Sequence, residues 1–259
     1  MGGTLGLALS GGAVLGAAHI GVLQALDQEN VEVTHLAGTS MGALVASLYA
    51  FGFSGSAIED LLDELRWPDV TRFHPSRLGL LSMGRLVEVL KKHVGEVRIE
   101  EAPVPLALVA TDISTGERVV LREGPLAESA TASACVPGIF VPMEVGGRLL
   151  VDGGLVENLP VGPLEDRGVD RAIVVDVHMG RTYHRPRSYL EVLSNALDIA
   201  LASSARPAVR EKSYVLVTPD LHGFSRAEME DVPSLVREGH RAAMAKMDEI
   251  REGGSQREA

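Results

Sequence analysis

A serine set between two glycines, Gly38-Thr39-Ser40-Met41-Gly42, lies where an apolar run gives way to an apolar helical pattern. The G-x-S-x-G spacing suits a sharp strand-to-helix turn. Such a turn lifts a hydroxyl off the strand end and aims the helix N-terminal amides at developing negative charge. The chemistry implied is attack by Ser40 on an acyl carbon. The same five residues also suit a turn whose serine merely caps the helix. A second loop, Ser10-Gly11-Gly12-Ala13, exposes consecutive backbone amides after a short apolar run, and such amides are the donors of an oxyanion hole. It is not a dinucleotide fingerprint, because the second glycine of G-x-G-x-x-G is displaced. Nor is it a P-loop, since Ala17 and Ala18 follow Gly16 where Lys is required. A third turn, Asp152-Gly153-Gly154, puts a carboxylate after Leu149-Leu150-Val151. Taken alone, Asp152 reads as a turn residue; beside Ser40 it would be a base.

The other titratable residues divide simply. His19 precedes Ile20, Val22 and Leu23 and reads as a packed, hydrogen-bonded helix histidine. Asp112 opens Asp112-Ile113-Ser114-Thr115-Gly116 and reads as an Asx turn. Asp176 and His178 end a strand. The histidines are scattered, with no H-E-x-x-H and no D-x-[DN]-x-[DN]-G run, so no metal and no cofactor are expected.

These residues need elements to position them. Leu5–Leu9 reads as a strand and 16–28 as a helix; 33–37 reads as a second strand and 41–52 as a second helix. Further strands are expected over 105–110, Arg118–Leu121, 149–151, 172–177 and Tyr214–Val217, with helices over 83–94, 126–135, 189–204 and 225–252. This alternation predicts an α/β fold, a three-layer sandwich whose largely parallel central sheet is flanked by helices. Between the second helix and the next strand, 54–65 is amphipathic (Ile58, Leu61, Leu62, Leu65) and 67–81 is irregular. A lid or substrate-shaping insertion belongs there, although the amphipathic stretch, like 189–202, reads first as a helix covering the sheet. No proline- or serine-rich linker interrupts the chain. The expectation is one domain over residues 1–252 with a flexible tail over 253–259.

Several motifs occur together and in order. They are Leu7-Ala8-Leu9-Ser10-Gly11-Gly12, Ala18-His19-Ile20-Gly21-Val22-Leu23, the Ser40 pentapeptide, Ala110-Thr111-Asp112, the run from Ala132 to Phe140, and the run from Asp152 to Pro160. Over roughly residues 5 to 178 the chain resembles the bacterial patatin-like phospholipases. The resemblance implies a Ser–Asp dyad that hydrolyses lipid acyl esters through an acyl-enzyme. Ser40 would be the nucleophile, Asp152 the base, and the amides of Gly11, Gly12 and Ala13 the oxyanion hole. One departure matters: the family loop usually reads G-G-G-x-[Arg/Lys]-G, whereas Ala13 and Leu15 stand at the third glycine and at the cation. Without that cation, recognition of a phosphate head group is less strongly implied than acyl ester hydrolysis. Two alternatives stay open. One is a triad in which His178 is the base and Asp152 its orienter; the other is a low-turnover acyl-binding module.

Composition narrows the partners. Apolar residues are 46% and charged residues 23% of 259, an ordinary globular balance. The net charge of −11 repels phosphate backbones, so no nucleic-acid partner is expected, and contact with a membrane surface should be transient at most. The substrate is then a lipid or a small acyl ester. Cys135 is the sole cysteine, which excludes an internal disulfide, and its Ala and Val neighbours mark it as a small buried residue. Residues 1–26 carry no charge, but Gly2, Gly3, Gly6, Gly11, Gly12 and Gly16 break them and no basic region precedes them, so neither a signal peptide nor a span is expected and the protein reads as cytoplasmic. Nothing in the sequence bears on oligomeric state.

Overall fold

The computed structural model describes residues 3–179, 214–224 and 228–252, with scattered positions between 185 and 200. The first half builds β1 (Leu5–Leu9), α1 (Ala18–Gln28), β2 (His35–Thr39), α2 (Met41–Ala50), α3 (Gly55–Glu64), α4 (Trp67–Val70), β3 (Arg72–Phe73), β4 (Leu81–Ser82) and α5 (Gly84–Val94). The second half builds β5 (Leu106–Asp112), β6 (Arg118–Leu121), α6 (Leu126–Ser133), β7 (Met143–Val145), β8 (Arg148–Asp152), α7 (Gly154–Glu157), α8 (Gly162–Glu165), β9 (Arg171–Val175) and β10 (Tyr214–Val217). The C-terminal helices α9 (Val232–Met244) and α10 (Met247–Glu252) follow. The main sheet runs β10-β9-β1-β2-β5-β8-β7, with β6 also paired to β5. Its first five strands are parallel, and β6, β7 and β8 are antiparallel to their neighbours.

Side-chain alternation shows why both faces are covered. Leu7, Leu9, Leu36, Ile173 and Val175 point into the larger core with residues of α1, α2, α5 and α9. Their neighbours Ala8, Ala37, Ala172 and Val174 point the other way, onto Leu159, Val161 and Leu164. Sheet strands buried on both faces are the reason the runs read as continuous apolar stretches. The expected three-layer architecture is therefore the one observed.

Differences are local. The strand expected over 33–37 is β2 at His35–Thr39, two residues closer to Ser40. Val31 and Val33 extend the apolar run because they pack on the core from outside the strand. The helix expected over 16–28 opens as a 3₁₀ turn, Ala13–Ala17, before α1. The long helix expected over 225–252 is a 3₁₀ turn at Met229–Asp231 followed by α9 and α10, with Pro233, which has no N–H to donate, in the first turn of α9. The helix expected over 189–204 and the tail over 253–259 fall largely or wholly outside the described residues.

One feature of the register positions the site. Strand β5 pairs with β2 through Leu106 to Val109, and with β8 through Ala110 to Asp112. Strand β6 occupies Leu108 to Thr111 and overlaps both, so β2 and β8 must share the opposite edge of β5. There they run toward each other: Thr39 ends β2 opposite Val109, and Asp152 ends β8 opposite Ala110. Ser40 and Asp152, 112 positions apart in sequence, meet because two strands end head to head.

Candidate active site

Ser40 leaves β2 at φ 53°, ψ −123°, a left-handed conformation that a non-glycine residue adopts only under constraint. Its hydroxyl does not cap α2. It donates instead to Asp152 Oδ2 at 2.7 Å, the length of a charge-assisted O–H···O bond. The capping-serine reading thus fails, and both side chains are buried. The turn is tight enough that a Cβ on Gly42 would lie 2.2 Å from the Leu9 carbonyl oxygen, and one on Gly153 would lie 2.1 Å from that of Val109. Side chains at these positions would force the elbow and the Asp152 turn apart.

Asp152 is fixed from several directions. Its Oδ1 accepts from the Gly154 amide at 2.8 Å, its own amide donates to the Cys135 carbonyl at 2.9 Å, and its carbonyl accepts from Thr111 Oγ1 at 2.9 Å. Ser133 is a residue to which sequence reasoning gave no role. Its buried hydroxyl donates to the Val109 carbonyl at 2.6 Å and accepts the Ser40 amide at 2.9 Å, while its carbonyl accepts the Gly153 amide at 3.3 Å. One residue at the end of α6 therefore joins the nucleophile turn and β5 through its side chain and the aspartate turn through its carbonyl. Its only sequence signal was its place in the run from Ala132 to Phe140.

The glycine loop lies against the same site. The Gly11 amide donates to the Asn158 carbonyl at 3.2 Å, so it is already engaged; the Gly12 and Ala13 amides have no partner among the described residues. Of the three expected oxyanion donors, these two are the ones the loop presents unengaged. Ala13 has φ 49°, the left-handed region that favours glycine, and holds it despite its Cβ. Leu15, at the position of the family's cation, is fully buried in the larger core.

The histidines separate as well. His19 is buried, with Nε2 donating to the Ser10 carbonyl at 2.7 Å; burial lowers its pKa to about 4, so at neutral pH it is an uncharged strut behind the glycine loop. His178 pairs through Nδ1 with the Asn158 amide at 3.3 Å, and its backbone amide donates to Asp176 Oδ1 at 2.8 Å. It does not stand between Ser40 and Asp152, which bond directly. Asp112 accepts the Ser114 amide at 2.9 Å in the expected Asx turn. Cys135 is buried, and burial, with the Asp152 charge beside it, pushes its thiol up to about 12.

Above the pair opens a cavity of about 440 Å³, within the range of small-molecule sites, whose walls are almost wholly apolar. Gly11, Gly12, Ala13, Ser40 and Asp152 form its polar end. Ile58, Leu61 and Leu62 of α3, Trp67 and Val70 of α4, and Leu86, Val89 and Leu90 of α5 form much of the rest. The amphipathic stretch expected simply to cover the sheet is in fact a cavity wall: the insertion between α2 and β5 shapes this space.

A mostly parallel sheet, a strained serine at a strand-to-helix elbow and a carboxylate bonded to its hydroxyl define the class of α/β proteins built on a serine–aspartate pair. Within that class the chain belongs to the patatin-like phospholipase family, whose model matches residues 7–165. It is 36% identical over 179 residues to an uncharacterized NTE family protein of Mycobacterium tuberculosis, covering 66% of this chain and 48% of that protein. It is 32% identical over 192 residues to the lysophospholipase NTE1 of Saccharomyces cerevisiae, covering 68% of this chain and 11% of that protein. The chain spans about half the length of the mycobacterial relative. In fold it is similar to VipD from Legionella pneumophila, with a TM-score of 0.53 and 15% identity over 96% of this chain and 67% of that one. The effector ExoU gives a TM-score of 0.53 with 13% identity, over 96% of this chain and 53% of that one. No helix among the described residues is long and apolar enough to cross a membrane.

Proposed function

We propose that the protein is a serine acyl hydrolase that cleaves carboxylic esters of lipids through an acyl-enzyme on Ser40, with Asp152 as base and residues 1–252 acting as one catalytic domain. The observation that carries this reading is the direct bond of 2.7 Å from Ser40 Oγ to Asp152 Oδ2 at the polar end of an apolar cavity. Kinship with a yeast lysophospholipase supports the lipid class of substrate.

Chemistry follows from the geometry. As Ser40 Oγ bonds to the ester carbon, its proton passes to Asp152 Oδ2, while the Gly154 amide on Oδ1 keeps the carboxylate aligned. The carbonyl oxygen takes up negative charge and is met by the Gly12 and Ala13 amides. Collapse expels the alcohol, which leaves with the proton held by Asp152. Water then enters, Asp152 takes its proton, and the acid is released with Ser40 restored. The acyl chain lies along Leu61, Leu86 and Leu90, and its burial supplies binding without any charged partner. Leu15 is buried and offers nothing to a head group, so the acyl part dominates recognition.

Hydrolysis of p-nitrophenyl esters of graded chain length tests the reading. Wild type should prefer medium to long chains, and Ser40→Ala and Asp152→Asn should each abolish turnover with the fold retained. A wild type inert on every ester would leave an acyl-binding module instead.

A further inference from the structure

The chain's net charge of −11 is not evenly spread. Residues 66–85 hold Arg66, Arg72, Arg77 and Arg85 against the single carboxylate of Asp69, and all four arginines are exposed. None of the four guanidinium groups forms a salt bridge with a carboxylate among the described residues, a state they share with Arg167, Arg171 and Arg237. Arg66 donates to the Asp63 and Leu65 carbonyls and Arg85 to that of Pro68, which leaves Arg72 and Arg77 as the two without a side-chain partner there. The same segment carries four of the exposed large apolar side chains: Phe73 at 74%, Leu78 at 56%, Leu80 at 52% and Trp67 at 40%.

These side chains are held out by an ordered turn. The His74 amide donates to the Leu80 carbonyl at 2.9 Å and the Ser76 amide to the Gly79 carbonyl at 2.9 Å, closing the β3–β4 hairpin. The Leu80 and Leu81 amides both donate to the Ile139 carbonyl at 3.0 Å, and Val141 donates back to Leu81 at 2.8 Å. A hairpin so anchored cannot fold Phe73 and Leu78 inward. It also leads to the cavity, because Trp67, Leu81 and Phe140 line it. An apolar, cationic tip continuous with an apolar cavity that ends at Ser40 matches one occupant: a bilayer with anionic head groups.

We propose that the Arg66–Arg85 segment is a docking element for anionic lipid surfaces, seating Phe73, Leu78 and Leu80 among acyl chains and the arginines among head groups, so that lipid enters the cavity from the membrane. The acidic outer face of α3 (Asp60, Asp63, Glu64) adjoins it and sets a requirement: contact must be made by the hairpin tip, not by that helix face. On this proposal, contact with anionic surfaces would be firmer than the transient contact expected from net charge alone. The proposal rests on the lipid hydrolase reading for its purpose but not for its test.

The test is vesicle flotation of the full chain carrying Ser40→Ala, which prevents lipid turnover. Phosphatidylcholine vesicles are compared with vesicles containing phosphatidylglycerol, at low salt and at about 1 M salt, where screening shortens to about 3 Å. The protein should float with the anionic vesicles at low salt only. Arg72→Ala and Arg77→Ala should each weaken this by about fivefold, and Phe73→Ser by about tenfold or more. In an otherwise wild-type chain the same surface variants should hydrolyse a soluble short-chain ester as before. Equal retention by neutral vesicles, retention unaffected by the variants, or no retention on anionic vesicles would each overturn the proposal. So would a Phe73-dependent self-association in light scattering without vesicle binding, which would make the patch a contact between copies of this chain. Flotation without any ester hydrolysis by the wild type would leave the docking element standing and sink the hydrolase reading instead.

Discussion

Acid should loosen the glycine loop through His19. The ring is buried among apolar neighbours, donates to the Ser10 carbonyl and has a pKa lowered from 6.5 to about 4 by burial. A group with a depressed folded-state pKa stabilises fully above its unfolded value, and that stabilisation is lost as pH falls toward the folded one. For His19 the window runs from 6.5 down to 4, and a shift of that size corresponds to about 3 kcal/mol. Glu157 and Asp176 have pKa values raised by burial, so their protonation works in the opposite sense, favouring the folded state at low pH. Comparison with His19→Gln isolates the histidine, since glutamine keeps an N–H donor of similar reach but does not titrate in this range. Urea unfolding of both chains at intervals from pH 7.5 to 4 is the assay. Wild type should be the more stable at pH 7.5, and its advantage should shrink by about 3 kcal/mol at the acid end. An advantage that stays constant with pH would refute the assignment of His19 as a neutral strut.

Other consequences are simpler to check. Ala13 sits at φ 49°, so Ala13→Gly should raise stability by about 0.5–1 kcal/mol in thermal unfolding, despite the greater freedom glycine gives the unfolded chain. A Cβ on Gly21 would come within 1.8 Å of the Val236 carbonyl oxygen, where α1 and α9 pack backbone to backbone. Gly21→Ala should therefore cost about 3 kcal/mol, and a denaturation midpoint equal to wild type would count against the close packing. Val89 lines the cavity at a half-buried position, so Val89→Phe should shift the preferred ester to shorter chains while the shortest is turned over as before. Cys135, with its thiol pushed up to about 12, should resist a disulfide reagent in the native protein and react promptly in denaturant.

Much of the architecture could be read from particular residues. Leu5–Leu9, Arg118–Leu121 and Tyr214–Val217 are strands at the expected boundaries, because each is a short, largely apolar run bounded by polar residues: Thr4 and Ser10, Glu117 and Arg122, Ser213 and Thr218. The two halves of the site were legible as motifs: glycines beside Ser40 and after Asp152 mark turns that only a close approach demands. Their meeting was not, since it depends on β2 and β8 sharing one edge of β5, a long-range register with no local signature. Ser133 was missed for a related reason: in an alanine-rich helix that also holds Ser129 and Thr131, it reads as filler until its three partners converge on it. Strands β3 and β4 have two residues each, too short for alternation to show, and Arg72, Phe73 and Leu78 gain meaning only from being held out together.

Central to the account is that Asp152, and not a histidine, activates Ser40. The most direct measurement is the rate at which a fluorophosphonate labels Ser40, read by peptide mass spectrometry, in wild type, Asp152→Asn and His178→Ala. Wild type and His178→Ala should label at similar rates, and Asp152→Asn should be slower by about a hundredfold or more. Unchanged labelling of Asp152→Asn together with loss in His178→Ala would contradict the account and install the histidine as base.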